Sequence, residues 1–355
     1  MPLVVDIESK SLCDIKKCGA WAYSLHPSTE ILCMVGTDTE TGETRRVDFR
    51  YNDIPVSGLQ EQLAIYHNLE WFRNYGTLIA HNVGFEYAML KNVLGWSVDD
   101  ILWIDTQDIA AYLGAPLKLE KAAEFLFQDD QAVQKDKKGK KLIGKICTPS
   151  NKKKKTFGKY TEEDFQELID YCEQDVKVSL EIYKQFWHLV PEYERTIMLA
   201  TQRMNRRGIP VELSLVDKLQ DFYDSACDEL EVPKGYVTSD VRRTAFMVDE
   251  INKLGYGIPN MQAETVEVAL KDKSLNGKAR MLLEAKQLMT MSSVKKLVKT
   301  VMWCDGEDTI KNGFQYHGAK TGRYAGRGVQ PQNFVRGFDN DLDIILARAI
   351  IGAEI

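Results

Sequence analysis

Two carboxylates set one residue apart inside an apolar run, Leu3-Val4-Val5-Asp6-Ile7-Glu8, constrain this chain more than any other stretch. Residues two apart on a strand share a face, so Asp6 and Glu8 lie side by side and Ile7 points the other way. Adjacent anions repel, and an uncompensated buried carboxylate is costly. An ordinary exposed pair satisfies the pattern; a divalent cation held by oxygen ligands is the other solution. Further carboxylates downstream decide between the two, and the chain supplies them.

Past the first strand, Ile31 to Asp38 and Thr44 to Arg50 read as strands joined by a turn at Glu40-Thr41-Gly42-Glu43. A helix from Leu59 to Arg73 follows, then a short apolar strand from Thr77 to Ala80. His81-Asn82-Val83-Gly84-Phe85-Glu86 leads into a helix reaching Leu94, with Asn82 as its cap. Leu102 to Asp105 is a strand, and Thr106 to Leu113 and Leu117 to Phe127 are helices. Strands first, then strands alternating with helices, give an α/β domain with a mixed sheet. From Thr161 apolar residues recur at Phe165, Leu168, Ile169, Cys172, Val176 and Leu180, which is helical spacing. Thr161 and Asp164 are a capping pair. Tyr171 and Asp175, four apart, share a face of that helix. Another helix runs from Glu192 to Arg207 and stops at Gly208; Arg206-Arg207-Gly208-Ile209-Pro210-Val211 marks a boundary. Glu212 to Trp303 reads as mostly helical, with a long last helix from Lys278 to Met302, and Asn312 to His317 as a strand.

Length, 355 residues, allows two or three domains. No apolar run is long enough for a membrane span, and the first residues enter a strand without the pattern of a signal peptide. Seven cysteines without CxxC spacing suit reduced thiols and a cytoplasmic setting. The net charge of -6 argues by itself against nucleic-acid binding, but a bound metal reverses the local sign. Charge distribution says more. Ten lysines fall between Lys135 and Lys155, a stretch that reads both as a solvated loop and as a basic arm near DNA phosphates. Lys286, Lys295, Lys296 and Lys299 give the last long helix a basic side. The segment Lys320-Thr321-Gly322-Arg323-Tyr324-Ala325-Gly326-Arg327-Gly328 combines cations, glycines and a tyrosine, which suits close approach to a phosphate backbone. Tyr324 stacks on a base or simply packs; the sequence leaves both open. His81 is a structural hydrogen bonder, no cysteine pair completes a zinc site, and Gly318 to Gly328 lacks the ending of a P-loop.

Asp6, Glu8, Glu86, Tyr171 and Asp175 thus stand out as one candidate constellation. Hard divalent ions take oxygen ligands, and two of them about 4 Å apart clamp the attacking and leaving oxygens of a phosphodiester. A tyrosine orients the attacking water.

Val5-Asp6-Ile7-Glu8, His81 to Glu86 and Tyr171-Cys172-Glu173-Gln174-Asp175 resemble the three motifs of DEDDy 3′–5′ exonucleases. Leu282 to Leu288, Thr321-Gly322-Arg323 and Gln330-Pro331-Gln332-Asn333 look like the thumb and thumb-to-palm segment of family A DNA polymerases, especially phage ones; Lys135 to Pro149 also resembles phage members. The resemblance implies an RNase H-like exonuclease domain over 1–190 with a basic insertion over 128–159, a helical thumb-like region over 191–311, and the start of the thumb-to-palm segment over 312–355. It further implies two Mg2+ or Mn2+ ions, one held by Asp6, Glu8 and Asp175 and the second by Asp6 and Glu86. Tyr171 would position water, and Asn82 would help arrange the site and contact DNA. Lys295, Lys296, Lys299, Arg323 and Arg327 would grip the duplex.

The second motif usually ends in Asp, and this chain has Glu86, whose longer side chain reaches the second ion from a retracted helix or loosens it. The palm aspartates and fingers residues of such polymerases have no counterpart here: Asp339, Asp341 and Asp343 lie in a polar segment before a short helix ending at Ile351. The implied function is proofreading hydrolysis of DNA 3′ ends during replication in a phage-infected bacterial cell. The partners are a single-stranded 3′ end, primer-template duplex and a second polypeptide carrying palm and fingers, with no membrane. Two rivals stand beside it: a DEDD ribonuclease, and a DNA-binding or assembly subunit with a vestigial nuclease site.

Overall fold

The computed structural model describes residues 1–50, 67–128, 139–151, 156–228, 233–289, 299–304 and 308–330. Several sequence expectations lie outside them: the helix before residue 67, most of the lysine-rich stretch, Lys295, Lys296, Gln332, Asn333 and everything from Asp339 to Ile351. The chain forms two compact units. One is Met1–Val211 with the segment 302–330; the other is Glu212–Val301.

The first unit is mixed α/β. Its strands are β1 (Pro2–Lys10), β2 (Glu30–Asp38), β3 (Thr44–Asp48), β4 (Thr77–Ala80) and β5 (Leu102–Asp105). They form one sheet in the order β3-β2-β1-β4-β5. β1, β2 and β3 are antiparallel neighbours, whereas β4 runs parallel to both β1 and β5. Helices α1 (Ile15–Leu25) and α2 (Gly84–Asn92) cover one face. On the other lie α3 (Thr106–Tyr112), α4 (Leu119–Phe127) and α5 (Glu162–Phe186), and α6 (Glu192–Arg207) follows α5 in the chain. α5 forms because Phe165, Leu168, Cys172 and Val176 repeat at helical spacing and are buried. Thr161 and Asp164 close a reciprocal capping box at its start.

Helix α1 escapes a reading by periodicity. Its first turn carries Lys16 and Lys17, and Gly19 breaks the helix with φ of 76°. Only glycine suits that position: the φ is left-handed, and a Cβ would stand 2.9 Å from the Trp303 ring. Asn82 does not cap α2. The helix begins two residues later with Val83 at its cap, and Asn82 itself has φ of 77°. The strand expected over Asn312 to His317 shrinks to Phe314–Gln315, paired with Ala325–Gly326.

The second unit is helical, with α7 (Leu213–Asp228), α8 (Thr238–Arg242), α9 (Thr244–Lys253), α10 (Ala263–Lys271) and α11 (Gly277–Met289). Met247, Ile251, Val266, Leu282 and Leu283 form its core. Lys286, expected on a basic outer side, is buried there instead, its ammonium donating to the Arg242 carbonyl at 2.9 Å. Burial of a charge needs such partners, so Lys286 secures the end of α8.

Candidate active site

Alternation along β1 makes the first placement. Val4 packs with Phe165, Leu168 and Cys172 on the α5 side, and Asp6 and Glu8 follow it on that face. Leu3, Val5 and Ile7 pack on the α1–α2 side. The Cys172 thiol donates to the main-chain carbonyl of Asp6 at 3.4 Å, so the turn of α5 bearing Tyr171 lies against Asp6. The far edge of the sheet fixes the register of α5. Arg46 on β3 donates to Asp170 at 2.8 Å and to Glu173 at 2.6 Å. Arg50 donates to Glu162 and lies 3.3 Å from the centre of the Phe165 ring.

Glu86 arrives from β4. Parallel pairing sets Val4 beside Ile79, so β4 ends level with the middle of β1, just before Asp6, and the chain turns through His81, Asn82 and Val83 into α2. His81 faces Thr106 Oγ1 at 3.0 Å and the Leu117 carbonyl at 2.8 Å, a structural role. The carboxyl ends of neighbouring strands where a sheet changes direction are the usual ligand site of α/β folds. Glu86 is 2% exposed and its Oε2 has no hydrogen-bond partner. Burial, then the charges of Asp6, Asp105 and Glu8, push its carboxyl well above the usual range. Tyr171 donates its hydroxyl to Asp175. Burial, then Asp175, Glu8 and Asp6, raise its phenol. Asp175 is 7% exposed. The structure thus brings Asp6, Glu8, Glu86, Tyr171 and Asp175 into one electrostatic neighbourhood.

Among the described residues, no group of three or more His, Cys, Asp or Glu side chains is arranged to hold a metal ion. Charge–charge influence reaches beyond ligand distance, so the carboxylates share a field without converging on one point. In donor chemistry they fit a hard divalent cation, being all oxygen. Glu86 Oε2 is a buried acceptor that a cation would satisfy.

Part of the lysine-rich insertion belongs to the site, which composition gave no sign of. Two short helical turns, Gly139–Leu142 and Ile143–Cys147, lie over it. Gly139 rests on the Tyr171 ring so closely that a Cβ would stand 1.9 Å from it, and Cys147 Sγ is 4.0 Å from Glu8 Oε2. A cleft of about 520 Å3 opens beside Glu8, its walls including Lys16, Lys17, Tyr23, Phe85 and Ile143.

A second polar group lies behind the Asn82 turn. Asp105, at the end of β5, accepts from the main-chain N–H of Asn82 and of Gln107 at 2.8 Å and from that of Val83 at 3.1 Å. Arg327 donates to Asn82 Oδ1 at 2.8 Å, to Gln107 Oε1 at 2.5 Å and to Gln315 Oε1. Asp108 is buried next to them with a hydrogen bond from Gln202; burial, then Asp105, raise its carboxyl well above the usual range. Sequence reading missed Asp105, although an Asp between a strand and a helix is a capping signature. Arg327, which the sequence places among the duplex contacts, has its guanidinium engaged inside the unit. Asn82 likewise spends its side-chain oxygen on Arg327. Arg323 and Lys299 are exposed. Tyr324 packs edge-on against Tyr316 and shares a 2.6 Å hydrogen bond with Thr201.

No family model matches the chain. Over 98% of its length its fold is similar to a structure described as "POL domain of Pol1 from M. smegmatis complex with DNA primer-template and dNTP". The TM-score is 0.50, the sequence identity 13%, and the match covers 55% of that chain. In sequence it is homologous to a DNA polymerase of Bacillus phage SP02, 26% identical over 360 residues, which is 96% of this chain and 52% of that protein. The chain spans about half the length of these relatives. Among the described residues, no helix is long and apolar enough to cross a membrane.

Proposed function

We propose that this chain is the 3′–5′ exonuclease portion of a phage-type family A DNA polymerase and serves DNA replication by hydrolysing DNA 3′ ends. Glu86 carries the reading: a fully buried carboxyl with an unpartnered oxygen, in the field of Asp6 and Glu8, on the helix that leaves the central strands. The mixed sheet, with Asp6 and Glu8 on its central strand β1 and Glu86 on the helix that follows β4, supports an RNase H-like first unit. Homology to a phage DNA polymerase supports the biological setting, an infected bacterial cell.

Two Mg2+ or Mn2+ ions, when bound, supply a nucleophilic hydroxide and neutralise the departing 3′ oxygen. Asp6, Glu8 and Asp175 would hold one, and Asp6 and Glu86 the other. Tyr171, held by Asp175, would orient the attacking water. The cleft beside Glu8 suits a single strand, with Lys16 and Lys17 for phosphates and Tyr23 and Phe85 for bases. Arg323, Lys295, Lys296 and Lys299 would contact the duplex. Nucleotide addition would need palm and fingers residues, from the same protein or from a second polypeptide.

The test is degradation of end-labelled single-stranded DNA with magnesium and with a chelator. Loss of label from the 3′ end only with metal is expected; equal loss with the chelator would end the two-metal reading. Matched RNA left intact separates the proposal from a ribonuclease. Primer extension by the 355 residues alone is expected to fail. The carboxylates' lack of convergence favours one second reading, a DNA-holding subunit with a vestigial site. That reading requires DNA binding with no cleavage at any metal concentration.

A further inference from the structure

Arg327 reaches back across the unit to the turn that launches the Glu86 helix. Its guanidinium forks over Asn82 Oδ1 and Gln107 Oε1, with Gln315 Oε1 as a third acceptor. Asn82 sits in the left-handed region, a conformation that a non-glycine residue keeps only when its surroundings hold it. Two holds exist. Asp105 binds the N–H groups of Asn82 and Val83 from one side, and Arg327 takes the side chain from the other. Val83 is the cap of α2 and Glu86 lies in its first turn. The strut is itself tethered: the Arg327 N–H donates to the Gly313 carbonyl at 2.9 Å, and Asn205 on α6 binds both polar groups of Phe314, each at 2.9 Å. Asn312 Nδ2 reaches the Gly84 carbonyl, the first residue of α2, at 3.3 Å.

We propose that Arg327 is a positioning residue for the nuclease: by bridging Asn82, Gln107 and Gln315 it fixes the turn that aims Glu86 at Asp6. The inference rests on the nuclease reading above. It assigns to the polymerase-like segment a task at the exonuclease site that does not involve touching DNA. A guanidinium is suited to it, since its planar fork satisfies several acceptors at fixed angles, whereas an ammonium is a point donor.

The experiment compares the full chain with Arg327→Met and Arg327→Lys. Amide hydrogen exchange over residues 81–92, calorimetric Mn2+ binding, single-stranded DNA affinity as a function of salt, and metal-dependent cleavage are measured on each. Arg327→Met is expected to speed exchange at Asn82 and Val83, to weaken Mn2+ binding, and to slow cleavage by about tenfold to a hundredfold, the size of losing a charge-assisted hydrogen bond. DNA affinity and its salt slope stay as in the parent. Arg327→Lys keeps a cation beside Asp105 and Asp108, so it folds and recovers part of the rate. Weaker DNA binding with a shallower salt slope, and unchanged exchange at 82–86, would overturn the proposal and make Arg327 a phosphate contact. Unchanged cleavage in both variants would overturn it too. A parent protein without metal-dependent cleavage would instead bring down the nuclease reading, and this inference with it.

Discussion

Two groups of buried carboxylates lie close together in the first unit, and they are neutralised differently. Asp105 and Asp108 have a cation of their own, Arg327, whose charge favours their ionised forms and offsets part of their burial. On Glu86 the leading charges, from Asp6, Asp105 and Glu8, are all negative. A protein that needed Glu86 only for structure would gain by replacing it with an apolar residue. Keeping an acid in that place makes sense if its partner comes from outside. One group is thus closed within the fold; for the other, the proposed reading supplies the partner of Glu86 from outside.

The largest effect should come from dismantling the open group. Asp6→Ala and Asp175→Ala are expected to cut cleavage by about a thousandfold or more, since on the proposed reading each removes a metal ligand, while circular dichroism stays native. Near-normal activity in Asp175→Ala would remove the Tyr171–Asp175 turn from the site. Next comes Glu86. Glu86→Asp should stay active because a shorter carboxylate is still a hard oxygen ligand, and Glu86→Gln should fall well below it by roughly a hundredfold. Equal rates for Glu86→Gln and the parent would show that the buried acid is no ligand.

Stability of the metal-free protein sharpens the contrast. Arg327→Met strands Asp105 and Asp108 without their cation and should cost about 3 kcal/mol in denaturant unfolding. Glu86→Gln should cost little or nothing, because it removes an uncompensated carboxyl. The reverse order would mean that the two groups have been told apart wrongly. The smallest effect is a pH slope. The raised Asp108 carboxyl retains in the folded state a proton that the unfolded chain releases, so stability falls as pH rises from the ordinary Asp value through the raised one. Asp105 acts in the same direction, with Arg327 opposing and Tyr316 nearby. Asp108→Asn should flatten that slope, read as unfolding stability in denaturant at a series of pH values. Parallel stability–pH curves for variant and parent would show that Asp108 titrates normally.

How much of this was legible beforehand follows from what each residue depends on. Asp6, Glu8, Tyr171 and Asp175 depend on period-two and period-four spacing inside single elements, and spacing is written in sequence. The mixed sheet followed from apolar runs alternating with helical patterns. Helix α1 did not, because a lysine-rich first turn and a left-handed Gly19 hide its period. Arg327 could not be read at all: in a stretch of glycines and cations it looks like its neighbour Arg323, and only tertiary packing turns one inward and leaves the other exposed. The cover provided by Gly139 and Cys147 was masked in the same way by the lysines around it.

The bond between Asn82 and Arg327 joins residues 245 positions apart. A ribosome working at about 5–20 residues per second needs roughly ten to fifty seconds to make the chain between them. During that interval β1, β4 and α5 can assemble, but the turn before Glu86 waits for its strut. Such a long loop also slows folding once synthesis ends. On the proposed reading, the turn that carries Glu86 is completed only after the segment bearing Arg327 has emerged, so that a chain interrupted in translation before residue 327 would lack the strut.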